Sequence, residues 1–427
     1  MLGTRRRNGA TAAAVALPVP RRGPRFGAAF EALRMRDFRF LFFSTVGAGY
    51  AQWAQSIGMG WLVYDLTNQS AMQLAAISAT GGVVRLLVSP FVGTVLDRYN
   101  RRRVLVTSTL LSALQGSLLA ALVVSGYAHV AHLYVFMILD GIFSTTNQAA
   151  RQAYVYDITT DETMPNAMAL SAIAQNLSRI SGPPLAAVMI GLMGRSSPFI
   201  VLAVLHVLAA ALTLPISRQS RQAPRVSIHP LRGPWEGFVY VRHEHALLGL
   251  MVIGTVPALL VYPYVQLLPV FARDVLDGGA LEFGLLAAAI GWGSIIGLLG
   301  LAFVAGSIKR RGLIAMWGMV GYAVALIAFS QSTTLVLALA LLTVAGVFHG
   351  VSLNLQQMLV QVLARNDMRG RTTSLFQMGF ALMPIGVLPM GFAIEEWGAA
   401  RAIGGFFLVS AAIFVFMLLF WRSLREV

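Results

Sequence analysis

Hydrophobic positions along this chain gather into long unbroken runs, without the narrow apolar stripe of a water-exposed helix or the two-residue alternation of a half-buried strand. Polar residues, glycine and proline punctuate the runs near 38 to 63, 73 to 96, 103 to 125, 132 to 156, 164 to 193 and 197 to 217. Six more follow near 246 to 271, 281 to 306, 312 to 330, 334 to 362, 372 to 395 and 401 to 421. A hydrocarbon core takes roughly 20 residues of helix to cross, so the pattern predicts twelve transmembrane helices. The longest polar stretch, Ser217 to His245, lies between the sixth and the seventh. The expected organisation is a basic disordered tail over 1–35, a six-helix bundle over 36–217, a cytoplasmic linker over 218–245 and a second six-helix bundle over 246–427. Two weak echoes suggest a duplication. Arg101-Arg102-Arg103 is echoed by Lys309-Arg310-Arg311, and Met164 to Gly182 by Met368 to Gly386. The fold class expected is therefore an all-α membrane protein, with twelve helices in two pseudo-symmetric six-helix bundles.

Charge orients the predicted spans. Of the 32 Lys and Arg, 26 lie in the N-terminal tail, in alternate gaps between runs and at the C-terminal end. The intervening gaps hold only Arg195, Arg273 and Arg401. The positive-inside rule then places both termini and the even-numbered gaps in the cytoplasm of a bacterial cell, with the spans in its inner membrane. A formal charge of +15 on a soluble protein would point to nucleic acid. Here the charge is split into short clusters beside spans, where it sets orientation and meets anionic lipid, so the bilayer is the expected partner and nucleic acid is not. Arg5-Arg6-Arg7 imitates an export signal, but the apolar stretch after it is short and ends in Pro18-Val19-Pro20. The absence of cysteine excludes disulfides and thiolate metal sites. No His-Glu-x-x-His, no Gly-x-Ser-x-Gly and no Walker-type loop occurs. An enzyme, a metal site and a cofactor are not expected, and energy for any transport has to come from a gradient or a partner.

Charge within hydrocarbon is costly unless paired or wet, so ionisable residues inside runs are the first candidates for function. Of 17 acidic residues, only Asp140 sits deep in a run. Its two readings are a packing carboxylate and a proton or substrate site. Arg85, Arg179 and Arg151 are the arginines likewise excluded from loops, and Arg85 and Arg179 are the candidates to meet Asp140. Asp140, Ser144, Asn147 or Gln148, and Arg151 form one polar stripe at helical spacing. Asp140 and Arg151 are about 16 Å apart along that helix and cannot pair. Gln52, Gln55, Gln175 and Asn176 extend the polar set in the first bundle; Tyr262, Gln266, Asn354 and Gln357 do so in the second. The expected cavity is cationic and ionisable on one wall, neutral, aromatic and amide-rich on the other. Gly182-Pro183-Pro184 is expected to interrupt the fifth span as a hinge, and Pro257, Pro263, Pro269, Pro384 and Pro389 to kink others.

After the second span, Gly93-Thr94-Val95-Leu96-Asp97-Arg98-Tyr99-Asn100-Arg101-Arg102-Arg103 resembles the Gly-x-x-x-Asp-Arg-x-Gly-Arg-Arg signature of the major facilitator superfamily. Asn100 replaces the usual glycine, and Asn also tolerates the left-handed backbone expected of that turn. The resemblance implies a cytoplasmic gate of Gly93, Asp97, Arg98, Arg101 and Arg102. In it Asp97 would bond Arg151 and the start of the eleventh helix, near Thr372 to Ser374, latching an outward-facing state. Ser178-Arg179-Ile180-Ser181-Gly182-Pro183-Pro184-Leu185-Ala186-Ala187 looks like part of the fifth-helix motif of proton-exchanging exporters, with three glycines replaced. The opening through the fourth span, including Trp61 to Thr67 and Ala149 to Ala153, is similar to the bacterial branch that includes enterobactin and macrolide exporters.

The expectation is a proton-coupled exporter of an amphipathic small molecule, a siderophore or drug, working as a monomer by alternating access. Asp140 would carry the proton, with Arg85 and Arg179 as modulators. The alternatives are a lysolipid flippase of the same fold, and a transport-inactive sensor or scaffold.

Overall fold

The computed structural model describes residues 28–160, 162–216, 232–304, 308 and 310–427. The tail up to residue 27 and the first part of the expected linker, 217–231, lie outside the described residues. The first half consists of α1 (Arg36–Leu66), α2 (Ala71–Arg98), α3 (Arg101–Val124), α4 (Val130–Ile158), α5 (Met164–Met193) and α6 (Ser197–Thr213). A linker helix, α7 (Arg232–His243), precedes the second half. There, α8 (His245–Leu260) and α9 (Tyr264–Asp274) form one broken rod, followed by α10 (Ala280–Val304), α11 (Arg311–Ser330) and α12 (Leu335–Leu363). A second broken rod, α13 (Arg369–Phe380) with α14 (Met383–Trp397), leads to α15 (Ala399–Phe420) and the short α16 (Arg422–Arg425).

Counting each broken rod once, and setting aside the linker helix α7 and the short α16, gives twelve helical rods among the described residues. Eight are long and apolar enough to cross a bilayer by length and composition alone. α6 is shorter, and α1, α4 and α5 carry the Gln, Asn, Ser, Arg and Asp side chains that later prove to face an internal cavity. Their polarity is a lining, and apolar neighbours surround them. α1 packs on α5 and α6, and α2 on α4; α10 to α12 and α15 build the core of the second half. In that core α10 and α12 are nearly in backbone contact: a Cβ on Gly293 would sit 1.9 Å from the Thr343 carbonyl oxygen, and one on Gly346 2.3 Å from that of Ile290. Gly293/Gly297 and Gly346/Gly350 thus serve close helix packing.

Local chemistry sets the helix ends. Ser70 caps α2 by accepting from the Gln73 amide. Asn100 adopts extended backbone, φ −63° and ψ 118°, and caps α3 by accepting from Arg103 N at 3.3 Å. The signature glycine is therefore replaced by a side-chain cap, and the left-handed turn expected there does not form. α5 and α14 both stop at a left-handed glycine, Gly194 at φ 83° and Gly398 at φ 77°. These two lie 204 residues apart, the spacing of Met164 and Met368, so the duplication echo extends to the caps.

Proline follows expectation at two sites and departs from it at α5. α5 runs unbroken through Pro183 and Pro184, because α10 braces the site; a Cβ on Gly284 would stand 2.7 Å from the Pro183 carbonyl oxygen. The breaks fall at 261–263 and 381–382, where Pro263 caps the start of α9 and Pro384 sits in the first turn of α14. A proline inside a helix gives up one backbone hydrogen bond and crowds the carbonyl four residues back, whereas at the start of a helix it costs nothing.

The halves meet along α5 with α10 and α2 with α14, and α9 touches α1 and α2. One face of this seam is closed. Tyr64 donates to Asp274 at 2.7 Å, and the Glu395 carboxylate accepts from Ser70 Oγ and from Met72 N at 2.9 Å. Among the described residues these are the hydrogen bonds that join the halves, and all lie opposite the basic loops.

Candidate functional site

The site begins where α2 crosses α4. Gly141 lets α4 approach closely: a Cβ there would lie 2.8 Å from Val84 and 3.0 Å from the Gly81 carbonyl oxygen. This contact brings the neighbouring residues Arg85 and Asp140 together, and Arg85 Nη2 donates to Asp140 Oδ2 at 2.8 Å. The carboxylate side is 8% exposed and the guanidinium side 43%, so the pair reaches open space through the arginine.

That space is a cavity of about 490 Å³ between the halves. The first half supplies Gln52, Gln55, Arg85, Asp140, Thr145 and Gln148; the second supplies Gln266, Phe380, Met383, Pro384 and Val387. A side cavity of about 260 Å³ continues into the first half, sharing Gln52, Gln55, Arg85, Asp140 and Gln148 and ending around Arg151, Gln175 and His206. The predicted stripe Asp140, Ser144, Asn147, Gln148, Arg151 lines it in full. Trp53 fills the wall where Gly182 admits it, a Cβ on that glycine meeting the Trp53 Cβ at 2.7 Å.

Other expected residues stand elsewhere. Arg179 does not meet Asp140; it sits on α5 beside the seam with α10, its Nε buried without an acceptor. The Asn176 amide turns back to the Ala172 carbonyl of its own helix at 3.0 Å, and that of Asn354 to Gly350 at 2.8 Å. Neither these nor Gln357 lines either cavity. Tyr262 is drawn into the second half, where its hydroxyl meets His349 Nε2 at 3.1 Å and its ring stacks on Phe380 at 5.8 Å. The second wall is therefore chiefly apolar, with Gln266 as its amide.

At the basic loops, the latch implied by the resemblance is not made. Asp97 is exposed, as are Gly93 and Arg98. Arg151 points inward, donating to Ser44 Oγ at 3.0 Å, Thr45 Oγ1 at 3.3 Å and Asn147 Oδ1 at 3.4 Å. The motif engages α4 differently: Arg101 pairs at 2.7 Å with Asp157, whose side chain is wholly buried. Arg102 donates to the carbonyls of Thr213 and Leu214 at the end of α6. An undone latch agrees with a seam tied only on the opposite face, since a rocking pair of halves closes one side at a time.

Three features escaped the sequence reading. The Arg101–Asp157 pair had a signal, since both residues flank membrane spans at the same end. The seal of Tyr64, Ser70, Asp274 and Glu395 had none, because its partners are over 200 residues apart. His349 sits between Tyr262 and Tyr322, its ring centroid 5.0 Å from that of Tyr322, and only its position inside a run marked it. Chemically, the site offers one buried carboxylate, a half-exposed cation beside it, amide groups at the rim and an apolar wall opposite.

A family model described as transmembrane secretion effector matches residues 27–425. The staphyloferrin A transporter of Staphylococcus aureus is 23% identical over 85% of this chain and 91% of its own length. Macrolide efflux protein A of Streptococcus pyogenes is 23% identical over 86% and 91%. Among solved structures, a bacterial homologue of the human lysosomal transporter Spinster, inward-facing and unoccupied, superposes with a TM-score of 0.69 at 13% identity, covering 95% of this chain and 97% of that one.

Proposed function

The chain belongs to the transmembrane secretion effector family of the major facilitator superfamily, a family of multi-pass membrane transporters, and from that premise we propose that it exports an amphipathic small molecule in exchange for protons. The observation that carries this reading is the Asp140–Arg85 pair opening into a cavity lined by both halves. A carboxylate there meets solute and water in turn as the halves rock, which is what exchange of cargo for a proton requires. The pair can be undone at modest cost. At 2.8 Å its Coulomb attraction is about 6 kcal/mol at an effective dielectric of 20 and about 1.5 in water, and the half-exposed arginine pulls it toward the lower figure.

In this mechanism cargo enters from the face of the basic loops while the Tyr64–Asp274 and Glu395 contacts hold the other side shut. Asp140, ionised beside Arg85 in the state seen here, takes up a proton from the far side after cargo leaves and gives it up on the basic-loop side before the next cargo binds. Asp97 swings onto its latch when the basic-loop face closes. Arg85 steadies the carboxylate, and Arg179 at the α5–α10 seam adds positive potential. The two halves over 36–217 and 246–427 are the rocking bodies of a monomer. Both termini lie in the cytoplasm of a bacterial inner membrane, an orientation supported by the distribution of basic loops.

Cargo belongs to the siderophore and drug classes, a reading supported by the names of the two relatives. Purified protein in proteoliposomes with an imposed pH gradient should accumulate erythromycin or staphyloferrin A. Asp140→Asn should abolish that uphill movement while sparing downhill exchange of the same cargo. Full gradient-driven accumulation by the variant would rule out the proton role.

A further inference from the structure

The central pair accounts for Asp140 and Arg85 and leaves Arg151 without a task. Its side chain is buried, the residue being 8% exposed. Its three hydrogen bonds go to a serine, a threonine and an asparagine, two of them at 3.3 and 3.4 Å, so each acceptor is neutral and two N–H donors of the guanidinium remain. No carboxylate among the described residues pairs with it. Asp140, on the same helix, lies about 16 Å away and is engaged by Arg85; Asp157 is engaged by Arg101; Asp97 is exposed to solvent.

A buried cation held only by neutral acceptors is costly in a folded protein. A ligand that supplies the missing charge would offset that cost. Arg151 also stands at the end of a cavity. That cavity brings Ser112, Gln152, Gln175 and His206 around it, polar groups able to satisfy an oxyanion beyond the two arginine donors. Planar and bidentate, a guanidinium suits carboxylate and phosphate oxygens better than any other side chain. The other end of the continuous space is the apolar wall of Phe380, Met383, Pro384 and Val387.

We infer that Arg151 and the side cavity form an oxyanion subsite, and that the cargo is an amphipathic organic anion whose charged group sits at Arg151 and whose apolar body lies against the second half. This rests on the export reading above and narrows its cargo class. It assigns Arg151 to binding in the state seen here, in place of the latch implied by the resemblance.

The test uses the full chain in nanodiscs and a matched pair of probes, 4-butylbenzoate and its uncharged analogue 4-butylbenzamide, titrated calorimetrically against empty nanodiscs. The wild type should bind the benzoate about tenfold or more tightly, the effect of a charge-assisted pair of hydrogen bonds. Arg151→Gln should bring the two affinities within twofold of each other without changing that for the benzamide. Arg151→Lys, which keeps the charge, should retain part of the preference. Without probe, Arg151→Gln should melt at the same temperature or higher, because it removes an uncompensated charge. A lower melting temperature with the preference intact would mark a packing residue and overturn the assignment. So would equal wild-type affinities for the two probes, or binding of neither at millimolar concentration. A third arm separates the sources of oxyanion: Arg151-dependent binding of lysophosphatidylglycerol with none of the benzoate would make the ligand a lipid phosphate and overturn the soluble cargo. Failure of the export reading shows separately, as absence of gradient-driven accumulation in proteoliposomes.

Discussion

The closed face of the seam yields the sharpest conformational prediction. Tyr64 is 3% exposed and donates to Asp274 at 2.7 Å; a hydrogen bond of this kind to a charged acceptor contributes about 1.5 kcal/mol. Glu395 accepts from Ser70 and Met72 at the start of α2. It is exposed, so its charge beside that helix N-terminus contributes only about 0.5 kcal/mol. Removing both with Tyr64→Phe and Glu395→Gln should therefore shift the balance toward the state open on that face by about 2 kcal/mol, roughly thirtyfold. The natural chain has no cysteine, so spin labels can be placed without background. Met193→Cys with Leu281→Cys reports the far ends of α5 and α10, and Tyr99→Cys with Asp367→Cys reports the basic-loop face. Pulsed electron resonance should show the first pair lengthening and the second shortening in the double variant. Distances unchanged at both faces would refute the idea that these contacts hold the seam.

Four further outcomes follow from the geometry. Arg101→Gln breaks the ion pair that Arg101 makes with the buried Asp157 carboxylate and should cost about 3 kcal/mol, read by thermal unfolding in detergent, with Asp157→Asn added to Arg101→Gln recovering part of the loss. Gly346→Ala sets a methyl against the Ile290 carbonyl, which backbone packing fixes, and should destabilise by about 1 to 3 kcal/mol. Gly405→Ala, with nothing within 4 Å of its Cβ, should leave the same melt unchanged or raise it by up to about 1 kcal/mol, the helix preference of Ala over Gly. Asp97→Asn should leave the melting temperature of the cargo-free protein unchanged, because Asp97 is exposed in this state, and should slow cargo transport in proteoliposomes, as the latch proposed for the other state requires; an unchanged transport rate would rule that latch out.

The sequence made the rods legible and left their junctions obscure. Apolar runs mark twelve crossings because hydrocarbon admits few alternatives to helix. Which proline would break a helix was not readable: Pro183 and Pro184 stay helical under the support of α10, whereas Pro263 and Pro384 start new segments. That choice is made by packing across the seam. Similarly, Arg85 and Arg179 were equal candidates for Asp140 by depth. The choice is made by Gly81 and Gly141, which set the approach of α2 to α4. The amides of Asn176 and Asn354 looked like lining but satisfy carbonyls one turn back; such local bonds compete with any contact across a cavity. Arg151 was recognisable as buried charge, and its neutral partners on α1 and within α4 could emerge only from the folded arrangement.

The account turns on Asp140 carrying the proton that exchanges for cargo. The most direct test is proton movement coupled to transport, followed with a pH indicator trapped in weakly buffered proteoliposomes without an imposed pH gradient, using the cargo that the wild type accumulates in the liposome assay. Cargo moving down its own gradient should drive close to one proton the opposite way per molecule in the wild type, and none in Asp140→Asn, which still exchanges cargo. Equal proton movement by both proteins would contradict the account.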